Sequence, residues 1–194
     1  MSLNLEFEMQ NNLSMKTLLL LTLLLFTAVG HAMPAKIILI RHGEEPKGDE
    51  GTELSDNGWS RAKLLPTLFT GALKPDVLIA LKKHKKNGSI RSNQTLQPIS
   101  EVLKLEIHAK YNKEEIKELV QFLAHSPKLQ DKTVLIAWQH ETIAEIAREL
   151  GARKVPDSWD HKAFDRYWVL TFKNGQNVTF QNLPQDLLEK DSEK

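Results

Sequence analysis

The feature that most constrains the fold is a regular alternation of short apolar runs with helical stripes. Residues 35–40, 76–81 and 133–138 are almost continuously apolar and rich in β-branched side chains, which is typical of strands buried on both faces of a sheet. A segment with apolar residues at helical spacing follows each run. Because parallel strands need long, usually helical crossovers, the pattern predicts an α/β fold: a three-layer sandwich with a mainly parallel central sheet and helices on both faces.

Capping residues, prolines and glycines predict where the helices begin and end. Ser55 is expected to cap a helix that Pro66 kinks or ends. Thr142 and Glu145 form a capping box, which predicts the start of a later helix that Gly151 ends.

The remaining strands are predicted from β-branched and aromatic runs. Residues 105–109 are expected to form a short strand, and residues 166–172 and 177–180 two more. Asn174-Gly175 between the last two is a strong hairpin signal. The sequence therefore predicts four strand–helix units closed by a C-terminal β-hairpin.

The N-terminal segment has the pattern of a secretory signal. Lys16 precedes the apolar run 18–29, and small residues stand at Gly30 and Ala32, which is typical of a signal peptide. The run is shorter than the roughly 20 residues that span a membrane, although an uncleaved anchor stays open as an alternative. We expect residues 1–32 to be a leader and signal peptide, with Met15 a candidate true start. Residues 33–194 would then form one domain, periplasmic or secreted, with no stable membrane span.

Composition excludes several function classes. The formal net charge is +1, so the sequence indicates no general basic face for binding nucleic acid. The chain has no cysteine, which excludes disulfides, thiol catalysis and cysteine-bound zinc. The histidines show no metal-ligand spacing, so we expect neither a metal nor a cofactor. The oligomeric state is not indicated by the sequence.

Four polar side chains are predicted at the edge where the parallel strands end. Arg41 and His42 come directly after the first strand, Arg91 begins the helix after the second strand, and His140 follows the strand 133–138. Ligands of open α/β sheets bind at this edge. Guanidinium groups bind phosphate oxygens in a bidentate manner, and a neutral imidazole can attack phosphorus to form a phosphohistidine. The set predicts a site for a phosphoryl group, with Gly43 allowing a sharp turn close to the ligand.

The order of these motifs resembles the histidine phosphatase superfamily, also called phosphoglycerate mutase-like. The similar blocks are "LIRHGEEP", "LSDNGWSRA", "RSNQTLQPIS" and "VLIAWQH", and they span most of residues 35–151. The resemblance implies that His42 is the nucleophile that accepts the phosphoryl group. It also implies that Arg41, Arg91 and His140 complete the phosphate pocket and that no metal is required. The compact chain is more similar to the small phosphatases of the superfamily than to the sugar-phosphate mutases.

Two departures from the family pattern concern the proton donor. Glu141 follows the second histidine, where the family usually has glycine, and no single acid stands out in the region "HAKYNKEEIKE". The candidate donors are Glu44, Glu114, Glu115 and Glu141, and we carry Glu44 and Glu141 forward. A missing donor would favour leaving groups that need little protonation, such as aryl phosphates or phosphohistidine.

The sequence therefore predicts an exported phosphatase that acts on a small phosphorylated substrate and releases inorganic phosphate. The predicted substrate is a phosphomonoester or a phosphohistidine. One alternative is a phosphate-binding pseudo-enzyme of the cell envelope, which Glu141 and the undefined donor motivate. A phosphoglycerate-type mutase is a third hypothesis, although an exported protein would rarely meet the phosphorylated substrates that it needs.

Overall fold

In the part of the chain that the structure describes, six strands form one mixed sheet. The computed structural model describes residues 33–48, 51–83, 88–173, 177–189 and 191. In chain order the strands are β1 (Lys36–Arg41), β2 (Val77–Ala80), β3 (Ile107–His108), β4 (Thr133–Trp138), β5 (Arg166–Lys173) and β6 (Asn177–Pro184). Their order across the sheet is β3-β2-β4-β1-β5-β6. The four strands from β3 to β1 run parallel, while β5 pairs antiparallel with both β1 and β6.

Helices cover both faces of this sheet. In chain order they are α1 (Asp56–Leu68), α2 (Arg91–Leu103), α3 (Ile116–His125) and α4 (His140–Glu149), with short 3₁₀ turns at Gly71–Leu73 and Pro127–Leu129. Because successive side chains of a strand point to opposite faces, β1 contributes to two cores. Ile37 and Leu39 pack in the cluster that contains residues of α3 and α4, whereas Ile38 and Ile40 pack in the cluster of α1 and α2. The predicted three-layer α/β sandwich is confirmed, as is the C-terminal hairpin of β5 and β6.

Two details of the predicted helix boundaries differ in the structure. Of the two effects expected of Pro66, a kink or an end of the helix, the end was wrong, because α1 continues to Leu68. Near the C-terminal end of the helix, the missing N–H costs a single hydrogen bond. Helix α4 begins at His140 rather than after Thr142. The Thr142 hydroxyl is used elsewhere, since it accepts a hydrogen bond of 2.9 Å from Nε1 of Trp138. The predicted cap at Ser55 is confirmed, because its side chain accepts the N–H of Gly58.

The loop after β1 packs directly on the first turn of α1 through two glycines. A Cβ atom on Gly43 would lie 3.0 Å from the carbonyl oxygen of Gly58, and one on Gly58 would lie 2.5 Å from the carbonyl oxygen of Glu44. The structure shows a reason for Gly43 besides the expected turn close to a ligand, namely close approach to the backbone of α1. This contact fixes the loop that carries the residues after β1.

The mutation Gly58→Ala is expected to destabilise the protein although alanine favours helices. The new methyl group overlaps the Glu44 backbone, and overpacking of this kind costs about 1–3 kcal/mol, more than the roughly 1 kcal/mol gained in helix propensity. Urea unfolding measures the change. Asn57→Ala, at the exposed neighbouring position, is the control and should leave stability nearly unchanged. Equal or higher stability of the Gly58 variant would show that the loop moves freely away from α1.

The predicted leader and signal peptide lie outside the described residues, as does the Asn174-Gly175 turn. Among the described residues, no helix has both the length and the apolar character needed to cross a membrane.

Candidate active site

The register of the sheet brings two of the predicted site residues to one edge. Arg41, the last residue of β1, pairs with Trp138, the last residue of β4. The backbone N–H of His42 then donates a 2.9 Å hydrogen bond to the carbonyl of Trp138. His140 follows two residues later as the first residue of α4. The strands thus place the two histidines at the carboxyl edge of neighbouring parallel strands.

Arg91 reaches the same edge from the first turn of α2. Its Nη1 atom lies 2.6 Å from Oε2 of Glu45, in the loop after β1. Nε donates to the carbonyl of Glu53 at 3.0 Å, and Nη2 donates to the carbonyl of Gly51 at 2.7 Å. These two backbone contacts hold the guanidinium in one orientation.

Arg41 is almost fully buried, with 2% of its surface exposed. Its Nη2 atom lies 2.7 Å from Oε1 of Glu45, its Nη1 atom donates to the carbonyl of His161, and Cζ lies 3.7 Å from the ring centroid of Phe164. Burial lowers the pKa of Arg41, while the charge of Glu45 opposes that shift. Its Nε atom has no hydrogen-bond partner among the described residues. A buried N–H of a charged group is costly when unpaired, which makes this atom a candidate donor to an anion.

His42 is held in a state suited to nucleophilic attack. The side chain is 6% exposed, and its Nδ1 atom lies 2.9 Å from the carbonyl oxygen of Gly43. That carbonyl can only accept, so Nδ1 carries the proton and Nε2 keeps its lone pair. Burial lowers the pKa of His42 to about 4, with the Gly43 carbonyl opposing the shift and Arg41 adding to it. The imidazole is therefore neutral near pH 7.

A small hydrogen-bond chain ties this loop to α2. The backbone N–H of Gly43 donates to Oγ1 of Thr95 at 2.9 Å, and Oγ1 donates to the carbonyl of Arg91 at 2.7 Å. Thr95 is 1% exposed. One buried hydroxyl therefore fixes the backbone on both sides of the site, next to His42 and at Arg91.

His140 lies in the same electrostatic environment as His42. Burial and the charge of Arg41 lower its pKa, while Glu141 and Glu45 oppose the shift. The charges of Arg41 and Glu45 also affect the pKa of His42, so the same ion pair shifts the pKa values of both imidazoles. The Nδ1 atom of His140 lies 3.8 Å from Oε2 of Glu141, whose side chain is 59% exposed.

Glu44, the other candidate donor, belongs to a separate buried group that we call the Arg61 cluster (Arg61, Glu44, Asp191 and Gln185). Nε of Arg61 donates to both carboxylate oxygens of Glu44 at 3.1 Å. Its Nη2 atom lies 2.6 Å from Oδ1 of Asp191, and Nη1 donates to Gln185 at 3.1 Å. Burial alone would lower the pKa of Arg61, but the two carboxylates raise it. The Glu44 carboxylate is thus engaged in an ion pair.

Sequence analysis did not identify Glu45, Arg61 or Phe164 as parts of this region. Two features of the sequence could have identified Glu45 and Arg61. They are the doubled acid "EE" after Gly43 and an arginine directly before Ala62, on the apolar side of α1. Phe164 gave no local signal, because it contacts Arg41 from a distant loop. Within the described parts of the chain, no group of three or more histidine or carboxylate side chains could hold a metal ion.

The protein should lose stability in acid because of His42. The unfolded chain binds a proton to this residue below about pH 6.5, whereas the folded state does so only below about 4. The unfolded state therefore holds more protons in this window, and the free energy of unfolding falls as the pH falls from 6.5 to 4, by up to about 3 kcal/mol.

Urea unfolding of wild type and His42→Asn across this window tests the expectation. The free energy of unfolding should depend less on pH in this variant than in wild type. His125→Asn, at an exposed position, should keep the wild-type dependence on pH. Identical slopes for wild type and His42→Asn would contradict a buried, neutral imidazole.

The structure is similar to several solved structures. No family model matches the sequence, and no curated protein matches it. The protein histidine phosphatase SixA, complexed with tungstate, has a TM-score of 0.56 at 15% identity, with 77% of this chain and 97% of that chain covered. Rv3214 from Mycobacterium tuberculosis has a TM-score of 0.51 at 13% identity, with 77% of this chain and 98% of that chain covered. Phosphoglycerate mutase from Plasmodium falciparum has a TM-score of 0.50 at 16% identity, with 82% of this chain and 96% of that chain covered. At such identities these neighbours establish the fold alone, and it is the fold that the resemblance of the motifs implies.

Proposed function

We propose that this chain, which has the fold of the histidine phosphatases, is itself a phosphatase that acts through a phosphohistidine on His42. One observation carries the proposal: a buried, neutral His42 lies beside Arg41, a buried arginine whose Nε donor has no partner among the described residues. A tetrahedral anion is the ligand that satisfies a guanidinium in such a position. The neighbouring imidazole supplies the nucleophile for it.

The reaction follows from the protonation state of His42. With Nδ1–H donated to the Gly43 carbonyl, the Nε2 lone pair attacks phosphorus in line with the leaving group, and the bond from phosphorus to the leaving oxygen, or to the leaving nitrogen of a phosphohistidine, breaks. Arg41, Arg91 and His140 would stabilise charge on the equatorial oxygens. Water then attacks the phosphorus of phospho-His42 and gives a proton to the carboxylate that protonated the leaving group. The N–P bond breaks and inorganic phosphate leaves, which restores the neutral imidazole.

We propose Glu141 as the donor of the proton that the leaving group takes up. Glu44 is paired with Arg61, so protonating it would break a buried ion pair. Glu141 is exposed and adjoins His140, at the same rim of the sheet. A proton donor that is exposed to solvent suits leaving groups that need little protonation, and these include aryl phosphates and phosphohistidine. SixA, whose fold this chain shares, is a protein histidine phosphatase, which supports phosphohistidine as a substrate to test first.

We also propose that the protein is exported to the periplasm or secreted. The basic residue and apolar run that precede residue 33 support this.

A substrate panel tests the proposed function. The protein is assayed for phosphate release from an aryl phosphate, a sugar phosphate and a phosphohistidine peptide, without added metal. Turnover of the aryl or phosphohistidine compound is the expected result. Phosphate binding without turnover of any compound would instead favour the phosphate-binding module.

A further inference from the structure

The carboxylate of Glu45 lies between the two arginines of the candidate phosphate site. Oε1 is 2.7 Å from Nη2 of Arg41, and Oε2 is 2.6 Å from Nη1 of Arg91. The side chains of the two arginines are 2% and 8% exposed. Each carboxylate oxygen thus takes one charge-assisted hydrogen bond from a different guanidinium, and such bonds are among the strongest in proteins.

The remaining donors of these arginines are largely committed to backbone carbonyls. Nη1 of Arg41 binds His161, while Nε and Nη2 of Arg91 bind Glu53 and Gly51. The Glu45 carboxylate occupies the position between the two guanidinium groups, with one oxygen on each. A phosphoryl group that bridges both arginines at this position must therefore displace the carboxylate.

Glu45 has room to move without unfolding the site. Its side chain is 27% exposed, and it lines a cavity of about 590 Å³. Two lysines (Lys47 and Lys162) and two acids (Glu44 and Asp56) line the same cavity, and Glu44 is already paired with Arg61. A displaced Glu45 carboxylate would therefore enter a polar, open space with cations nearby instead of an apolar interior.

We propose that Glu45 is an internal competitor for the phosphate site: its carboxylate binds Arg41 and Arg91 in place of a phosphoryl group and lowers the affinity for inorganic phosphate. The inference rests on the proposed function for its biological role, which is release of the product after hydrolysis. Free phosphate, held only by the site, loses the competition more readily than a substrate that also binds through its leaving group. Glu45 is thus a specificity-determining residue that favours phosphorylated substrates over their product.

Calorimetric titration with inorganic phosphate tests the proposal independently of turnover. Glu45→Ala should bind phosphate at least about tenfold more tightly than wild type, a change of about 1.4 kcal/mol. Glu45→Gln, which keeps the shape but loses the charge, should tighten binding in the same direction and serves if the alanine variant does not fold. Glu101→Ala is the control, since it removes an exposed acid further along α2, and it should bind like wild type.

The outcomes separate this inference from the proposed function. Tighter phosphate binding in the Glu45 variants supports the proposal that Glu45 competes with phosphate, even where no substrate is turned over. Unchanged or weaker binding in both folded variants would overturn it and make Glu45 a fixed structural bridge, even if the protein proves to be an active phosphatase. In an active enzyme, the inhibition constant of phosphate should fall in Glu45→Ala in parallel with the dissociation constant.

Discussion

Replacing His42 with alanine is expected to abolish turnover of an aryl phosphate, with kcat lowered by roughly 10⁴-fold or more, as for other residues that act as covalent nucleophiles. The imidazole is 6% exposed and fixed by the Gly43 carbonyl, so no water or other side chain replaces its Nε2 lone pair. Phosphate release under saturating substrate measures the loss. Rapid quenching of the wild-type enzyme should also trap phosphate on the protein that is labile in acid and stable in base.

A matched histidine serves as the control for this experiment. His125 lies at the end of α3 with an exposed side chain, and His125→Ala should keep wild-type turnover. Near-normal activity of His42→Ala, or trapped phosphate on that variant, would refute the phosphohistidine mechanism. Since Arg41 and Arg91 remain in place, the inactive variant should still bind inorganic phosphate.

Replacing Arg61 with alanine is expected to cause the largest loss of stability. The Arg61 side chain is 4% exposed and pairs with Asp191 and Glu44, which are 6% and 18% exposed. Burial alone would raise the pKa of Asp191, but Arg61 and the backbone N–H groups of Leu188 and Leu187 lower it. Removing one partner of a buried ion pair leaves an uncompensated charge and costs about 3–5 kcal/mol.

Urea unfolding measures this loss, and two further variants define its cause. Arg61→Lys should recover only part of the stability, because an ammonium group cannot reproduce the planar fork that binds two carboxylates. Arg153→Ala, at an exposed position, should have little effect. A stability loss below about 1 kcal/mol for Arg61→Ala, the range of surface ion pairs, would mean that the Arg61 cluster is solvated in solution. Turnover should also fall, since Glu44 adjoins the loop of His42.

The central sheet was predictable because each of its main strands can be recognised from its own residues. β1, β2 and β4 are continuous apolar runs buried on both faces, and such a run predicts a buried strand without knowledge of its neighbours. The start of α4 was not predictable in this way. The pattern of Thr142 and Glu145 fits a capping box, but the hydroxyl binds the indole of Trp138, a side chain from the preceding strand.

The same distinction applies to the candidate site. The four predicted site residues lie at strand ends or helix starts, so the strand–helix pattern alone places them at the carboxyl edge of the sheet. They are Arg41, His42, Arg91 and His140. The Arg61 cluster joins residues separated by 130 positions, and Phe164 meets Arg41 from the segment before β5. Such contacts depend on the packed fold, so no local pattern reveals them. Glu45 was visible as an acid, but its bridge between two arginines follows only from where α2 places Arg91.

The position of β1 has a consequence for how the protein is made. This strand is the first of the described chain, yet its two neighbours in the sheet, β4 and β5, come from residues 133–138 and 166–173. Until the ribosome has delivered residues 133–173, β1 lacks at least one of its partners and exposes an unpaired edge. Contacts of such long sequence separation slow folding. A nascent chain that stops before β5 therefore has an incompletely paired β1, and the proposed activity should emerge only after β5 has been synthesised.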